Sequence, residues 1–212
     1  MNTTREQTLE QESAIEEVYF SIDVEADGAI PGPFSMSSFG IVACGYRQKG
    51  GQLVNLDLDL DANCFYRELK PISDDFEPAA AAIAGLDRVE LYTNGADPET
   101  AMKEAAAFIE NRVASLGQNV RPVFMGWPVS YDWMFTYWYF MKFAHSPFGH
   151  SSAIDLKSVF ATKADIPLRR VGKRMIPKEL QSKRKHTHNA LDDARGQGEL
   201  GMNILRWQPP AF

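Results

Sequence analysis

The first third of the chain alternates short apolar runs with turns, a pattern that predicts consecutive β-strands. Residues 18–22 form a β-branched and aromatic run typical of a buried strand. A second strand is predicted over residues 38–47, and an interrupted third over residues 53–69, beyond a turn at residues 49–51. Leucine and aspartate alternate over residues 56–61, which favours a half-exposed strand over a calcium loop, because no glycine bend or distal glutamate completes such a loop.

Helical patterns dominate the rest of the chain. Asp97 precedes a proline, and Gly117 ends the periodic stretch, as expected for the two ends of a helix. Helices are predicted over residues 77–84, 98–116, 131–144, 154–162 and 189–206, with a strand over residues 121–126. Three strands followed by alternating helix and strand predict an α/β sandwich with a mixed sheet. One domain over residues 18–212 is expected, after a flexible polar tail over residues 1–17.

Composition narrows the class of protein. A chain of 212 residues, 44% hydrophobic and 24% charged, fits one globular domain. Cys44 and Cys64 lack the close spacing of a zinc or redox motif and are too few for a disulfide framework. No secretory signal is evident, and the apolar run over residues 133–144 is too short to span a bilayer. We therefore expect a cytoplasmic protein that does not enter a membrane.

The charge is unevenly distributed. The net charge of −6 argues against a protein that coats nucleic acid or an anionic membrane. Residues 163–185, however, carry nine basic residues against two acidic ones, a net charge of +7, while the remainder sums to −13. Such a basic segment is either a solvated loop or a set of phosphate contacts.

Acidic residues and a histidine occur at three separate places. Asp23 and Glu25 are two apart on the first strand, so their side chains share a face with Cα atoms about 6–7 Å apart. They either cap a neighbouring helix or hold a divalent cation such as Mg²⁺ or Mn²⁺. Asp132 opens the aromatic helix, where an acid can serve simply as a cap. His188 would pair with Asp192 on a regular helix, and with Asp193 only if His188 precedes the helix on a loop.

The ordered set resembles a known family. Ile22-Asp23-Val24-Glu25, Val129-Ser130-Tyr131-Asp132 and His188 followed by Asp193 are similar to the three motifs of the DEDDh branch of the proofreading-exonuclease superfamily. The resemblance extends from about residue 18 to residue 205 and includes the region from Phe76 to Leu86. It implies a ribonuclease H-like fold, with a central mixed five-stranded sheet flanked by helices, and a 3′–5′ exonuclease acting on single-stranded nucleic acid. Relatives include ribonuclease T, oligoribonuclease and polymerase proofreading subunits.

The resemblance also implies a role for each residue. Asp23, Glu25, Asp132 and Asp193 would hold two divalent cations, Mg²⁺ or Mn²⁺, which phosphodiester hydrolysis uses to stabilise attacking and leaving oxygens. His188 would be the general base, because the ordinary pKa of an imidazole suits proton transfer near neutral pH. The family motifs favour Asp193 over Asp192 as the acid that acts with His188, whereas regular helix geometry favours Asp192.

Two departures concern the substrate's 3′ nucleotide. Gly126-Trp127-Pro128 stands where relatives commonly have His-Asn, so Trp127 either stacks on a terminal base or packs in the core. Ala26-Asp27-Gly28 replaces the frequent Thr-Thr-Gly, and the following loop offers Phe34 and Met36 as base contacts or buried packing.

Further predictions concern the surface. Phosphate contacts in the basic segment are assigned to Arg169, Arg170, Lys173 and Arg174. His145, His150 and His186 lack cysteine partners at zinc spacing and are interpreted as incidental. The aromatic helix is apolar on more than one face, which suggests a homodimer.

Two other functions stay open from the sequence. The chain could be a nucleic-acid-binding relative that has lost its chemistry, although all four acids and the histidine are present. It could instead act mainly as a subunit of a larger complex. The sequence leaves the choice between RNA and DNA open.

Overall fold

A mixed β-sheet forms the centre of the protein, whose computed structural model describes residues 14–209. Six strands are present among the described residues: β1 Ile15–Ala26, β2 Met36–Gln48, β3 Leu53–Asn55, β4 Cys64–Glu68, β5 Arg121–Gly126 and β6 Ala153–Asp155. The order across the sheet is β3-β2-β1-β5-β6, and β4 also pairs with β2. β1 is antiparallel to β2 and parallel to β5, which is parallel to β6. The mixed sheet is therefore confirmed, with one strand more than the five expected.

Helices cover both faces of this sheet. The described residues form α1 Pro78–Ala84, α2 Arg88–Asn94, α3 Pro98–Leu116, α4 Val129–Phe143, α5 Leu156–Lys163 and α6 Ala190–Arg206. Apolar side chains of α3 and α4 share one core with β1, while those of α5 and α6 pack on the opposite face. The result is the predicted three-layer α/β architecture. Within the described part of the chain, no helix has the length and apolar character needed to cross a membrane.

The pleat of β1 determines which of its side chains point to each face of the sheet. Val18, Phe20 and Ile22 are fully buried in the core that contains α3 and α4. Successive side chains on a strand point to opposite faces, so Asp23 and Glu25 point to the other side. Gln197 of α6 lies on that side and donates a hydrogen bond to the Ser21 hydroxyl at 3.1 Å. Both acids therefore face α6.

The half-exposed strand predicted over residues 56–61 is wrong. The chain leaves the sheet after β3, and a 3₁₀ turn at Asp61–Asn63 precedes β4. The Asp57 side chain accepts a hydrogen bond from the Asp59 backbone at 3.0 Å, and the Asp57 carbonyl accepts one from the Asn63 amide at 2.7 Å. Local side-chain bonds thus replace the ladder that a strand would need.

Other element boundaries also differ from the prediction. β1 begins at Ile15, so the last residues of the expected tail lie in a strand, and residues 1–13 fall outside the described part. The helix expected from residue 154 begins at Leu156 instead, because Asp155 ends β6 and caps α5 by accepting a hydrogen bond from the Ser158 backbone. α2 was not predicted.

A buried ion pair holds the loop after β1 against α2. Asp27, only 1% exposed, pairs with Arg88 and accepts a hydrogen bond from the Ser35 backbone at 2.6 Å. The Arg88 guanidinium also lies 4.8 Å from the centre of the Phe76 ring. These contacts fix the chain that follows the two acids of β1.

Candidate active site

Three of the four predicted carboxylates meet between β1 and α6. Ligand oxygens of Asp23, Glu25 and Asp193 all lie within 4.8 Å of one another. β1 supplies the first two from one face, and the first turn of α6 supplies Asp193. Gly40 on β2 allows this approach, because a Cβ there would meet the backbone of Ala190 and Leu191.

The loop before α6 selects Asp193 rather than Asp192. His188 adopts a left-handed conformation with φ of 58°, and Asn189 caps the helix. The chain therefore folds back over the first turn, and the Asp193 carboxylate accepts hydrogen bonds from the backbones of Thr187 at 3.0 Å and His188 at 2.9 Å. Asp192 instead pairs with Arg195 at 3.1 Å. The pairing of His188 with Asp192 that regular helix geometry favours does not occur, because His188 lies on the loop before the helix.

Two histidines border the carboxylates. Nδ1 of His188 lies 3.9 Å from Oε1 of Glu25, and the ring is half exposed. Nδ1 of His186 lies 2.7 Å from Oδ2 of Asp193, and the two imidazole rings are 4.4 Å apart between centres. His186, interpreted from the sequence as incidental, therefore contacts the acidic group. The available signal was its place two residues before His188, in the sequence His-Thr-His.

Asp132 lies beside this group but outside the tightest cluster. It is buried in the first turn of α4 and accepts a hydrogen bond from the backbone of Val24. Burial raises its pKa well above the ordinary range, and the charge of Glu25 adds to that rise. Asp132 therefore lies near Glu25, although its carboxylate is not among the ligand atoms that lie within 4.8 Å of one another.

Negative charge is concentrated in the site. Burial raises the pKa of Glu25 to about 7, with a further contribution from the charge of Asp193. Ionised carboxylates at such spacing repel one another unless a cation or protons neutralise them. The donor set, all carboxylate oxygens, matches the preference of Mg²⁺ and Mn²⁺.

A cleft of about 420 Å³ opens from the carboxylates. It is lined by Asp23, Asp193, His186, Trp127, Arg184 and Lys185, among others. Trp127 is half-buried: its ring lies 6.3 Å from that of Phe160, and its backbone donates to Gln197 at 2.7 Å. Trp127 thus lies at the border between cleft and core, which leaves both sequence interpretations of its ring in place.

The loop residues proposed as base contacts are mainly packing residues. Met36 is fully buried, and its backbone donates to the Tyr139 hydroxyl at 2.7 Å, so of the two interpretations buried packing is confirmed and base contact by Met36 is wrong. Phe34 is half-buried against Gly28, where its ring leaves no room for a Cβ. Met36 is apolar and lies at the first position of β2, which is the ordinary pattern of a core residue.

The basic segment contributes to the cleft at its C-terminal end. Arg169, Arg170 and Arg174 are exposed and lie outside the cleft lining, which includes Arg184 and Lys185 instead. The side chain of Lys173 is not among those described. Arg184 makes two hydrogen bonds to Asp59, at 2.9 and 2.7 Å.

Known proteins are similar to this chain in sequence and in fold. No protein-family model matches the chain. A protein from Escherichia coli named 3′–5′ DNA exonuclease Cap18 is 36% identical over 185 residues, which cover 87% of this chain and 89% of the relative. The solved nuclease domain of 3′hExo, a DEDDh family member bound to rAMP, has a TM-score of 0.65 and 13% identity, over 89% of this chain and 92% of that one.

A second solved structure shares the fold within a larger protein. Escherichia coli Exonuclease I in complex with a dT13 oligonucleotide has a TM-score of 0.59 and 13% identity, over 88% of this chain. The chain spans only 40% of the length of Exonuclease I. The identity to the Cap18 exonuclease, the ribonuclease H-like fold and the order of the acidic motifs agree, and the chain belongs to the DEDDh family of 3′–5′ exonucleases.

Proposed function

We propose that this exonuclease is metal-dependent and removes nucleoside 5′-monophosphates from the 3′ end of single-stranded nucleic acid. The observation that carries the proposal is the meeting of Asp23, Glu25 and Asp193, with His188 beside Glu25. Three acids from two elements would not be held together in a partly buried site without a compensating function, because their mutual repulsion destabilises the fold.

The four acids would hold two divalent cations, Mg²⁺ or Mn²⁺. Asp23, Glu25 and Asp193, whose ligand atoms lie within 4.8 Å of one another, would share one ion. Asp132, whose pKa the charge of Glu25 helps to raise, would take part in holding the second, directly or through water. When bound, such ions supply positive charge that stabilises the phosphoryl oxygens during hydrolysis. The pKa of Glu25, which burial and then the charge of Asp193 raise, supports this assignment, since a bound cation would stabilise the ionised carboxylate.

His188 would act as the general base. Its ring is 51% exposed and is attached to a loop, so it can reach a water molecule at the edge of the carboxylates. In the proposed step the imidazole takes a proton from water, the water oxygen bonds to phosphorus, and the bond from phosphorus to the 3′ oxygen of the preceding nucleotide breaks. That oxygen takes a proton from solvent to become a hydroxyl group, and the imidazolium then returns its proton to solvent. The products are a nucleoside 5′-monophosphate and a strand shortened by one nucleotide.

Adjacent aspartates give a matched test of this site. We expect Asp193→Asn to lower the rate of mononucleotide release by about a hundredfold or more, because it removes a carboxylate from the proposed ion site. Asp192→Asn should change the rate little, because Asp192 faces Arg195 and solvent. His188→Ala should lower the rate by about 10²–10⁴-fold. Full activity in Asp193→Asn or His188→Ala, or no metal-dependent release by the native chain, would contradict the proposal.

DNA is the substrate that we propose first. The similar Cap18 protein is named as a DNA exonuclease, and the Exonuclease I structure contains a dT13 oligonucleotide, whereas the 3′hExo domain contains rAMP. A panel of 5′-labelled single-stranded DNA, RNA and dinucleotides, each with Mg²⁺ and with Mn²⁺, tests this choice. Faster shortening of RNA than of DNA of the same sequence would reverse it.

A further inference from the structure

His186 and His188 share an acid with the proposed exonuclease site. Ligand atoms of His186, His188 and Asp193 lie within 4.8 Å of one another. Asp193 also belongs to the group that contains Asp23 and Glu25. Two possible ligand sets therefore overlap at one carboxylate, but one offers only oxygen atoms and the other offers two imidazole nitrogens.

The two sets favour different ions. Mg²⁺ prefers oxygen ligands, whereas imidazole suits Zn²⁺, Co²⁺ and related transition-metal ions. We propose that His186, His188 and Asp193 form a separate site for Zn²⁺ or a similar ion, and that an ion bound there competes with the cation in the proposed exonuclease site. The competition rests on the proposed function, whereas binding of the transition-metal ion does not.

The geometry needs only side-chain movement to close around an ion. Zinc bonds of 2.0–2.1 Å in a tetrahedron place ligand atoms about 3.4 Å apart. Nδ1 of His186 and Oδ2 of Asp193 are already 2.7 Å apart, and both rings are about half exposed, at 53% and 51%. Rotation of the exposed rings can therefore adjust the remaining spacing. Three protein ligands would leave a fourth position for water.

Asp193 is a well-fixed anchor for such an ion. Backbone hydrogen bonds from Thr187 and His188 hold its two carboxylate oxygens. The tripeptide from His186 to His188 thus surrounds the carboxylate with both imidazoles. An ion on this site would occupy Asp193 and also take His188 away from the proton transfer proposed for it, so its binding would inhibit hydrolysis.

The first experiment measures binding without turnover. The full chain, stripped of metal with a chelator, is titrated with Co²⁺, and the visible d–d absorption reports ligand type and affinity. His186→Ala should weaken Co²⁺ binding by at least about tenfold and lower the absorption. The control is His150→Ala, which removes an exposed histidine outside both ligand sets and should leave Co²⁺ binding unchanged.

A second variant separates ligation from hydrogen bonding. His186→Asn can still donate a hydrogen bond to Asp193 but is a poor ligand for Co²⁺ or Zn²⁺. It should bind Co²⁺ as weakly as His186→Ala does. Binding of native strength in His186→Asn or His186→Ala, with circular dichroism showing a folded chain, would overturn the site.

The competition is tested with Zn²⁺ and Mg²⁺ together. Zn²⁺ should slow DNA hydrolysis by the native chain, and the Zn²⁺ concentration for half inhibition should rise in proportion to Mg²⁺. The Zn²⁺ concentration for half inhibition of His186→Ala should be at least about tenfold higher than that of the native chain, when the rate of each protein is expressed relative to its own rate with Mg²⁺ alone. Inhibition that is insensitive to Mg²⁺ would overturn the competition. Co²⁺ binding through His186 in a chain without hydrolytic activity would refute the proposed function and leave the new site standing.

Discussion

The carboxylate of Asp193 takes part in several contacts at once. It belongs to the acidic group, accepts two backbone hydrogen bonds from the preceding loop and pairs with His186. The same contacts that place the acid also place His188, which carries the proposed general base. The conformation of the loop therefore determines the positions of both Asp193 and His188.

Glu25 should make the stability of the metal-free protein depend on pH. Its folded-state pKa of about 7 lies above the ordinary value of 4.5, so the folded state binds the proton more tightly than the unfolded state does. The contribution of Glu25 to the free energy of unfolding should therefore fall as pH rises from about 4.5 to 7, by on the order of 3 kcal/mol, and then level off, whereas Asp132, whose pKa is also raised, should add a fall that continues to higher pH. Chemical denaturation at a series of pH values, without divalent ions, measures this.

Glu25→Gln provides the control for that titration. The amide has no proton to lose, so the part of the fall that Glu25 contributes between about pH 4.5 and 7 should disappear, and the fall due to Asp132 should remain. Addition of Mg²⁺ should raise the free energy of unfolding of the native chain at pH 8 more than that of the variant. An equal pH dependence in both proteins would show that Glu25 is not the group responsible.

The sequence predicted the acids of the site better than its histidines. Asp23 and Glu25 follow from the two-residue period of a strand, which β1 obeys. Asp193 was favoured by the family motifs against regular helix geometry, because the positive φ of His188 cannot be read from spacing. The closeness of His186 to Asp193 depends on the same turn and was missed for the same reason.

At the scale of elements, α6 and its contact with β2 set the distance between Asp193 and β1. Gly40 is where the strand meets the start of the helix, and a Cβ there would lie 2.5 Å from the backbone of Ala190 and Leu191. Farther along α6, Gly198 lies against Cys44, where a Cβ would also clash. Small residues on both sides thus bring the helix close to the sheet.

Gly40→Ala should displace the start of α6. Because the clash is with backbone atoms, the helix must move, which we expect to cost about 1–3 kcal/mol of unfolding free energy. The affinity for Mn²⁺ should also fall, since α6 carries Asp193. Thermal melting and Mn²⁺ titration measure the two effects. Gly172→Ala is the matched control, since a Cβ there meets no atom within 4 Å; an equal effect of both substitutions would refute the explanation.

Elements with strong periodicity or clear caps were predicted well. α3 and β5 have the expected bounds, because Asp97, Pro98 and Gly117 define the helix and a short apolar run defines the strand. β6 was missed because three residues are too few to show a period. α2 was missed although its cap, Asp87, is followed by Glu90, a pattern that resembles a capping box.

For the whole molecule, the position of the positive charges matters more than the net charge of −6. Arg184 and Lys185 line the cleft beside Asp23 and Asp193, whereas Arg169 and Arg170 are exposed elsewhere. A polyanion approaching the site would therefore meet the end of the basic segment rather than its beginning. The homodimer stays a prediction, based on the aromatic residues of α4.

Salt dependence should distinguish the two ends of the basic segment. Arg184→Ala combined with Lys185→Ala should weaken binding of single-stranded DNA and reduce the slope of log affinity against log salt by about 0.7 for each phosphate that the protein no longer neutralises. Arg169→Ala combined with Arg170→Ala removes the same charge away from the cleft and should change the slope less. Fluorescence anisotropy with Ca²⁺ in place of Mg²⁺ measures binding. A larger change from the second pair would restore the assignment made from sequence.

The buried pair of Asp27 and Arg88 has an evolutionary consequence. Loss of either partner leaves a buried charge uncompensated, at a cost of about 3–5 kcal/mol, whereas loss of both together can be nearly neutral. Lineages should therefore exchange the two residues together. Among aligned homologues, an uncharged residue at the position of Asp27 should be accompanied by replacement of Arg88, and frequent retention of arginine there would show that the pair does not constrain the sequence.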